Sequence, residues 1–168
     1  MTDLTIPEFI AKMAAIQAGL HKHTEHALER AARVVEREAK REIGHDEMPA
    51  AGPFAAWQPL AERTVREKED LGYVNRISEN DSLLRTGETR DSITHAVEVT
   101  GPVSGLALIG SNSDVAVWQE RGTARIPPRS FLGGALVRKA SQVVKILGSG
   151  IHRALLGKGL PGGNLPLP

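Results

Sequence analysis

The stretch from Pro7 to Ile43 constrains the fold more than any other part of the chain, because it reads as one long helix. Thr5 or Ile6 precedes it, Pro7 stands near the first turn, where its missing N–H costs nothing, and Gly44 occupies the position of a C′ glycine. Phe9, Met13, Ile16, Leu20, Ala27, Ala31, Val34 and Ile43 recur at spacings close to three and four and draw a single apolar stripe. On the outer face, Glu29 with Arg33 and Glu36 with Lys40 form acid-first i,i+4 pairs. At ~1.5 Å per residue such a helix spans roughly 55 Å, more than a compact domain of this size requires. Part of it is therefore expected to project or to pack on another chain. Gly19 offers a place to break it in two, and costs ~1 kcal/mol relative to Ala if the helix continues.

Beyond it, Met48 to Gly52 reads as a Pro/Gly/Ala linker, and Trp57-Gln58-Pro59-Leu60 leads into a charged helical segment, Ala61 to Asp70, supported by Glu62 and Arg66. Gly72 to Ser82 shows no sustained period and is expected to be a loop with at most one helical turn. Ile93, His95, Val97 and Val99 then alternate with Thr94, Ala96, Glu98 and Thr100, as in a half-buried strand. With the turn Gly101 to Gly105 and the apolar strand Leu106 to Ile109, this makes a β-hairpin over 93–109. Asp114 can cap a short helix from Val115 to Arg121 that ends at Gly122. Ser130 can cap a final helix whose buried stripe would be Leu132, Leu136, Ala140, Val143 and Leu147, loosened by Gly148 and Gly150. Gly157 to Pro168 is Gly/Pro/Leu-rich and is expected to be a flexible arm. The expected fold class is α+β: a small antiparallel hairpin against a long N-terminal and a C-terminal helix, forming a single domain over 1–156.

Composition bounds the function. At 168 residues the chain suits one domain, and with 40% apolar but 4% aromatic residues its core must be built from Ala, Val, Leu and Ile. Such a core is thin, which hints that a partner subunit completes some apolar surface. Lys and Arg total 21 against 20 for Asp and Glu, so no large field steers the chain toward nucleic acid or an anionic membrane. With no cysteine there is neither a disulfide framework nor a thiolate metal site, which suits a reducing cytoplasm. Met1-Thr2-Asp3-Leu4 does not resemble a signal peptide, and no window approaches ~18 uninterrupted apolar residues, so a soluble protein without membrane contact is expected.

His21, His23 and His26 look like a metal cluster until helical geometry separates successive residues by ~100°. His23 and His26 share a face with Glu29, so a metal-dependent nuclease using these three residues is the enzymatic alternative, set against a solvated polar face. The segment Leu156 to Gly163 is Gly-rich and holds Lys158, but lacks the order of a phosphate-binding loop. Ser92 and Ser141 sit in no nucleophile elbow, and no nucleophile is paired with a His and an orienting acid. The expectation is no catalytic residue, no cofactor and no metal.

The densest segment is Trp118-Gln119-Glu120-Arg121-Gly122-Thr123-Ala124-Arg125-Ile126-Pro127-Pro128-Arg129-Ser130-Phe131-Leu132. Gly122 permits positive φ, Pro127 and Pro128 hold an extended approach, and Phe131-Leu132 anchors the next helix. The residues alone leave open whether this rigid loop is presented to a partner or merely connects two helices.

Together with Leu83 to Ile93, Asp114 to Thr123 and Ile126 to Leu132, the opening Trp57-x-Pro59-Leu60 followed by Thr64 and Lys68 resembles the neck and tail-completion family of long-tailed phages. That group is also labelled phage virion morphogenesis or minor tail component, and the opening is that of its Mu-like members. The four blocks stand in the family's order over roughly Trp57 to Leu136. The chain departs from the family at Val115, commonly Tyr, at Arg121, often apolar or aromatic, and at Ser130, often Pro.

The resemblance implies a structural virion protein without catalysis or cofactor. It would form a ring, expected to be sixfold, between portal and tail, joining head to tail through connector or tail-tube proteins. DNA could pass through the ring lumen without specific binding, and assembly would occur in the bacterial cytoplasm. A tail terminator or a minor capsid protein is a neighbouring role. The residues expected at the interface are Trp57, Leu60, Trp118, Glu120, Gly122, Thr123, Pro127, Pro128, Arg129, Phe131 and Leu132. Among them Arg129 would pair with a carboxylate across the contact and Phe131 would fill a pocket.

Overall fold

The computed structural model describes residues 5–45, 47–72, 83 and 87–156. The expected loop over 73–82 and the expected arm over 157–168 lie outside them. The fold is α+β, with a two-stranded antiparallel hairpin and two long helices, as the periodicities predict.

Helix α1, Ile6–Glu42, runs for 37 residues without interruption, so Gly19 does not divide it. The backbone N–H and hydroxyl of Thr5 both donate to the Glu8 carboxylate, at 2.8 and 2.7 Å, which closes the first turn as in a capping box. At the other end Gly44 has φ 100°, the left-handed conformation of a C′ glycine. Helix α2 is Glu62–Asp70, helix α3 Glu88–Asp91, and the strands are β1, Ile93–Gly101, and β2, Ser104–Ser111. Pro102 and Val103 alone join the strands, a tighter turn than the five residues expected. Helices α4, Asp114–Arg121, and α5, Phe131–Leu155, complete the order. In α4 it is Ser113 that takes the N-cap position, without a side-chain cap bond, and Asp114 is already helical.

The described residues fall into two compact units. One takes 5–32, 96–108 and 142–156; the other takes the described parts of 33–95 and 109–141. The first packs mainly small residues, with Ala27, Ala31, Ala32 and Ala154 buried. Thr24 donates its hydroxyl to the Pro102 carbonyl at 2.6 Å, fastening the hairpin turn to α1. A Cβ on Gly105 would lie 2.6 Å from Leu28 Cδ1, and one on Gly150 would lie 2.7 Å from Ala27 Cβ. Both elements thus approach α1 where they carry no side chain. Gly150 was expected to loosen α5; instead the helix continues through it and uses it for contact.

The second unit buries Val35, Ala39, Ile43, Met48, Ala51, Trp57, Ile93, Ala116, Phe131 and Ala135. The Ser92 and Ser111 hydroxyls meet at 2.6 Å across the open end of the hairpin. The Phe54 ring occupies the space a Cβ on Gly133 would need. The alternation expected for β1 is present, with Ile93 buried and His95, Val97 and Val99 half-buried. The stripe expected for α5 is corrected: Leu136 and Ala140 are exposed, while Phe131 and Ala135 are buried. Leu132, Val143 and Leu147 of that stripe are half-buried, and it is at the start of the helix that Phe131 and Ala135 take the inward positions.

Candidate functional site: the 118–132 segment and the exposed apolar faces

The segment after α4 is fixed by a short series of local bonds. Gly122 ends the helix at φ 73°, ψ 173°, a region open essentially to glycine alone. A Cβ there would stand 2.8 Å from Pro128 N and 2.9 Å from Ile126 O, so the chain closes back on its own start. Thr123 ties the loop: its N–H donates to Ile126 O at 2.8 Å, and its hydroxyl accepts from the N–H groups of Arg125 and Ile126 at 3.2 and 3.1 Å. The Arg129 N–H then reaches Gln119 O at 2.7 Å, which brings the loop's end alongside α4.

Glu120 carries the junction with α5. Its carboxylate accepts the N–H groups of Leu132 and Gly133, both at 2.9 Å, and so supplies a negative charge and two acceptors to the helix N-terminus. Ser130 was expected in that role. Its hydroxyl instead donates to the Glu120 carbonyl at 3.0 Å, because the longer carboxylate reaches the free N–H groups.

Three of the expected interface side chains point into the molecule. Phe131 is 0% exposed and Arg129 and Trp57 are each 5% exposed. Arg129 donates through Nη2 to the carbonyls of Gln58 at 2.9 Å and Pro59 at 3.4 Å, its Nε meets no acceptor, and burial lowers its pKa. Within the chain, Arg129 and Phe131 are thus turned inward, away from the outward contacts expected of them, and hold this loop to the 57–59 segment and to the core. Leu60, Glu120, Gly122, Pro127 and Leu132 are half-buried. Outward the segment shows Trp118, 51% exposed, with Arg121, Thr123, Ala124, Arg125 and Pro128, and beside them on α4 Val115 and Val117.

His23 is likewise not on a solvated face. It is buried, because α5 crosses there, with Gly150 set against the His23 carbonyl and Ala27. His26 and Glu29 are half-buried, and among the described residues no group of three or more His, Cys, Asp or Glu is placed to hold a metal ion.

The larger exposed feature belongs to the other unit. Ile6, Phe9, Ile10 and Met13, from 49% to 78% exposed, line the first two turns of α1, where Phe9 and Met13 open the expected stripe. Val103, Leu106 and Leu108 on the hairpin and Val144, Ile151 and Leu155 on α5 are also exposed. Leaving such surface in water is unfavourable, and burying it against another apolar surface lowers the free energy. The sequence marks Phe9 and Met13 as stripe members, but the signal that separates them from Ala27 is tertiary.

Compared with known proteins, the chain matches no family model, no curated protein and no solved structure. No helix among the described residues is long and apolar enough to cross a membrane.

Proposed function

We propose that this chain is a structural subunit of a phage neck or tail-completion complex, which self-associates into a ring, sixfold on the family pattern, and joins head to tail. The observation that carries the reading is the row Ile6, Phe9, Ile10 and Met13, large apolar side chains that are 49% to 78% exposed. Isolated exposed apolar residues are ordinary, but a contiguous helical row of them marks a contact surface. The motif blocks between Trp57 and Leu136 supply the context of a long-tailed phage. The contact residues proposed are accordingly those at the start of α1, in place of Arg129 and Phe131.

The test is made in the particle. Phage carrying Phe9→Ser with Met13→Ser should fill heads and build tails yet yield few joined virions, while the purified variant keeps the unfolding midpoint of the parent. Normal joining by this stable variant would overturn the reading.

A further inference from the structure

Glu42, in the last turn of α1, is 1% exposed although it carries a carboxylate. One oxygen, Oε1, accepts from Arg138 Nη1 of α5 at 2.7 Å; the other, Oε2, meets no donor. Arg138 reaches onward through Nη2 to the Pro49 carbonyl at 2.5 Å, so a single guanidinium ties together the end of α1, the start of α5 and the turn that follows α1. The site leaves no room for a side chain from α5: a Cβ on Gly134 would come 2.6 Å from Arg138 Nη1 and 3.3 Å from Glu42 Oε2.

One turn earlier, Glu38 is also buried, and it differs in its donors. Arg41 Nη2 and Nε bond its two oxygens at 2.6 and 3.0 Å, and Lys139 of α5 stands 3.2 Å from Oε2. These bonds, that from Arg41 foremost, hold the Glu38 carboxyl below its ordinary pKa. Two carboxylates on one face of one helix thus meet consecutive cations of α5, but only Glu38 has both oxygens satisfied.

We propose that Glu42 is a proton-operated latch: uncharged, it lets α1, α5 and the turn at Pro49 close around it, and charged, it loosens them. The physical reason is the imbalance at the site. Taking a carboxylate out of water is costly, and one Arg contact with one bare oxygen does not offset that cost. Burial accordingly pushes Glu42 up to about 7, against the opposing pull of Arg138. The other charges acting on it are Glu38, which raises it further, and Arg41, which lowers it; the turn after α1 contributes the Pro49 carbonyl through Arg138. In an opened chain the carboxyl returns to its ordinary, lower range. The tightening is therefore complete below that range and is lost as pH rises through about 7.

Amide hydrogen exchange over 38–44, 48–51 and 134–139, corrected for intrinsic rates, reads this directly. Between pH 6 and 8.5 the opening equilibrium of the wild type should rise about tenfold, and that of Glu42→Gln should stay flat. Parallel profiles for the two proteins would overturn the latch. Should Glu42→Gln not fold, the carbon shift of the Glu42 carboxyl in the wild type decides the matter: a midpoint near neutrality supports the latch, and one in the ordinary carboxylate range overturns it.

Discussion

At Gly122 the backbone enters a conformation that side chains forbid, and the space where a side chain would begin is already filled by Ile126 O and Pro128 N. Both effects act together in Gly122→Ala, which should lose about 2–3 kcal/mol in urea unfolding. Gly19 makes the opposite case. It lies within α1, where a Cβ would meet nothing within 4 Å, so Gly19→Ala should gain about 0.5–1 kcal/mol by the same measurement. That Gly122 would need positive φ was legible from its place after a short helix and before Thr123. That Arg129 and Phe131 would turn inward was not. An Arg beside an aromatic residue reads equally as a surface anchor or as a buried clamp, and the carbonyls that select the clamp, Gln58 and Pro59, lie far away in sequence.

Among the elements, α5 depends on a residue outside itself. Removing the carboxylate in Glu120→Ala leaves the N–H groups of Leu132 and Gly133 without their acceptor and should cost about 1–2 kcal/mol, whereas Ser130→Ala should cost less, since Ser130 bonds a carbonyl of α4 and not the α5 N-terminus. The reverse ranking in thermal unfolding would restore Ser130 as the cap. Further along the same helix two glycines separate by function. At Gly148 a Cβ would meet nothing within 4 Å, so Gly148→Ala should stabilise by about 0.5–1 kcal/mol. At Gly150 a Cβ would press on Ala27, and Gly150→Ala should destabilise by about 1–3 kcal/mol. Periodicity located α1, the hairpin and α5 within a few residues, because apolar residues recur along each with the spacing of a helix or a strand. It misplaced the inward face of α5, because Leu136 and Phe131 carry equal weight in a pattern and only the fold decides which is covered.

For the molecule as a whole, the division of α1 was half legible. The length of the helix pointed to apolar surface that the chain does not cover by itself, and Ile6, Phe9, Ile10 and Met13 are exposed there. The buried carboxylates Glu38 and Glu42 went unread, although they share a face with Val35 and Ala39, which is the one spacing signal that could have exposed them. Gly150 against Ala27 has a consequence for how the protein is made. These two positions are separated by most of the sequence, so the close fit of α5 on α1 has no partner while a ribosome is still translating the middle of the chain. Ala27 and the small residues around it must wait, and the first half of the long helix emerges early without its cover. A nascent chain arrested before Gly150 should be cleaved by protease within 20–28, and release of the full chain should abolish that cleavage. In a crowded cytoplasm this interval is when a holding factor would matter most, and shortening it by faster translation of the last third should raise the soluble yield.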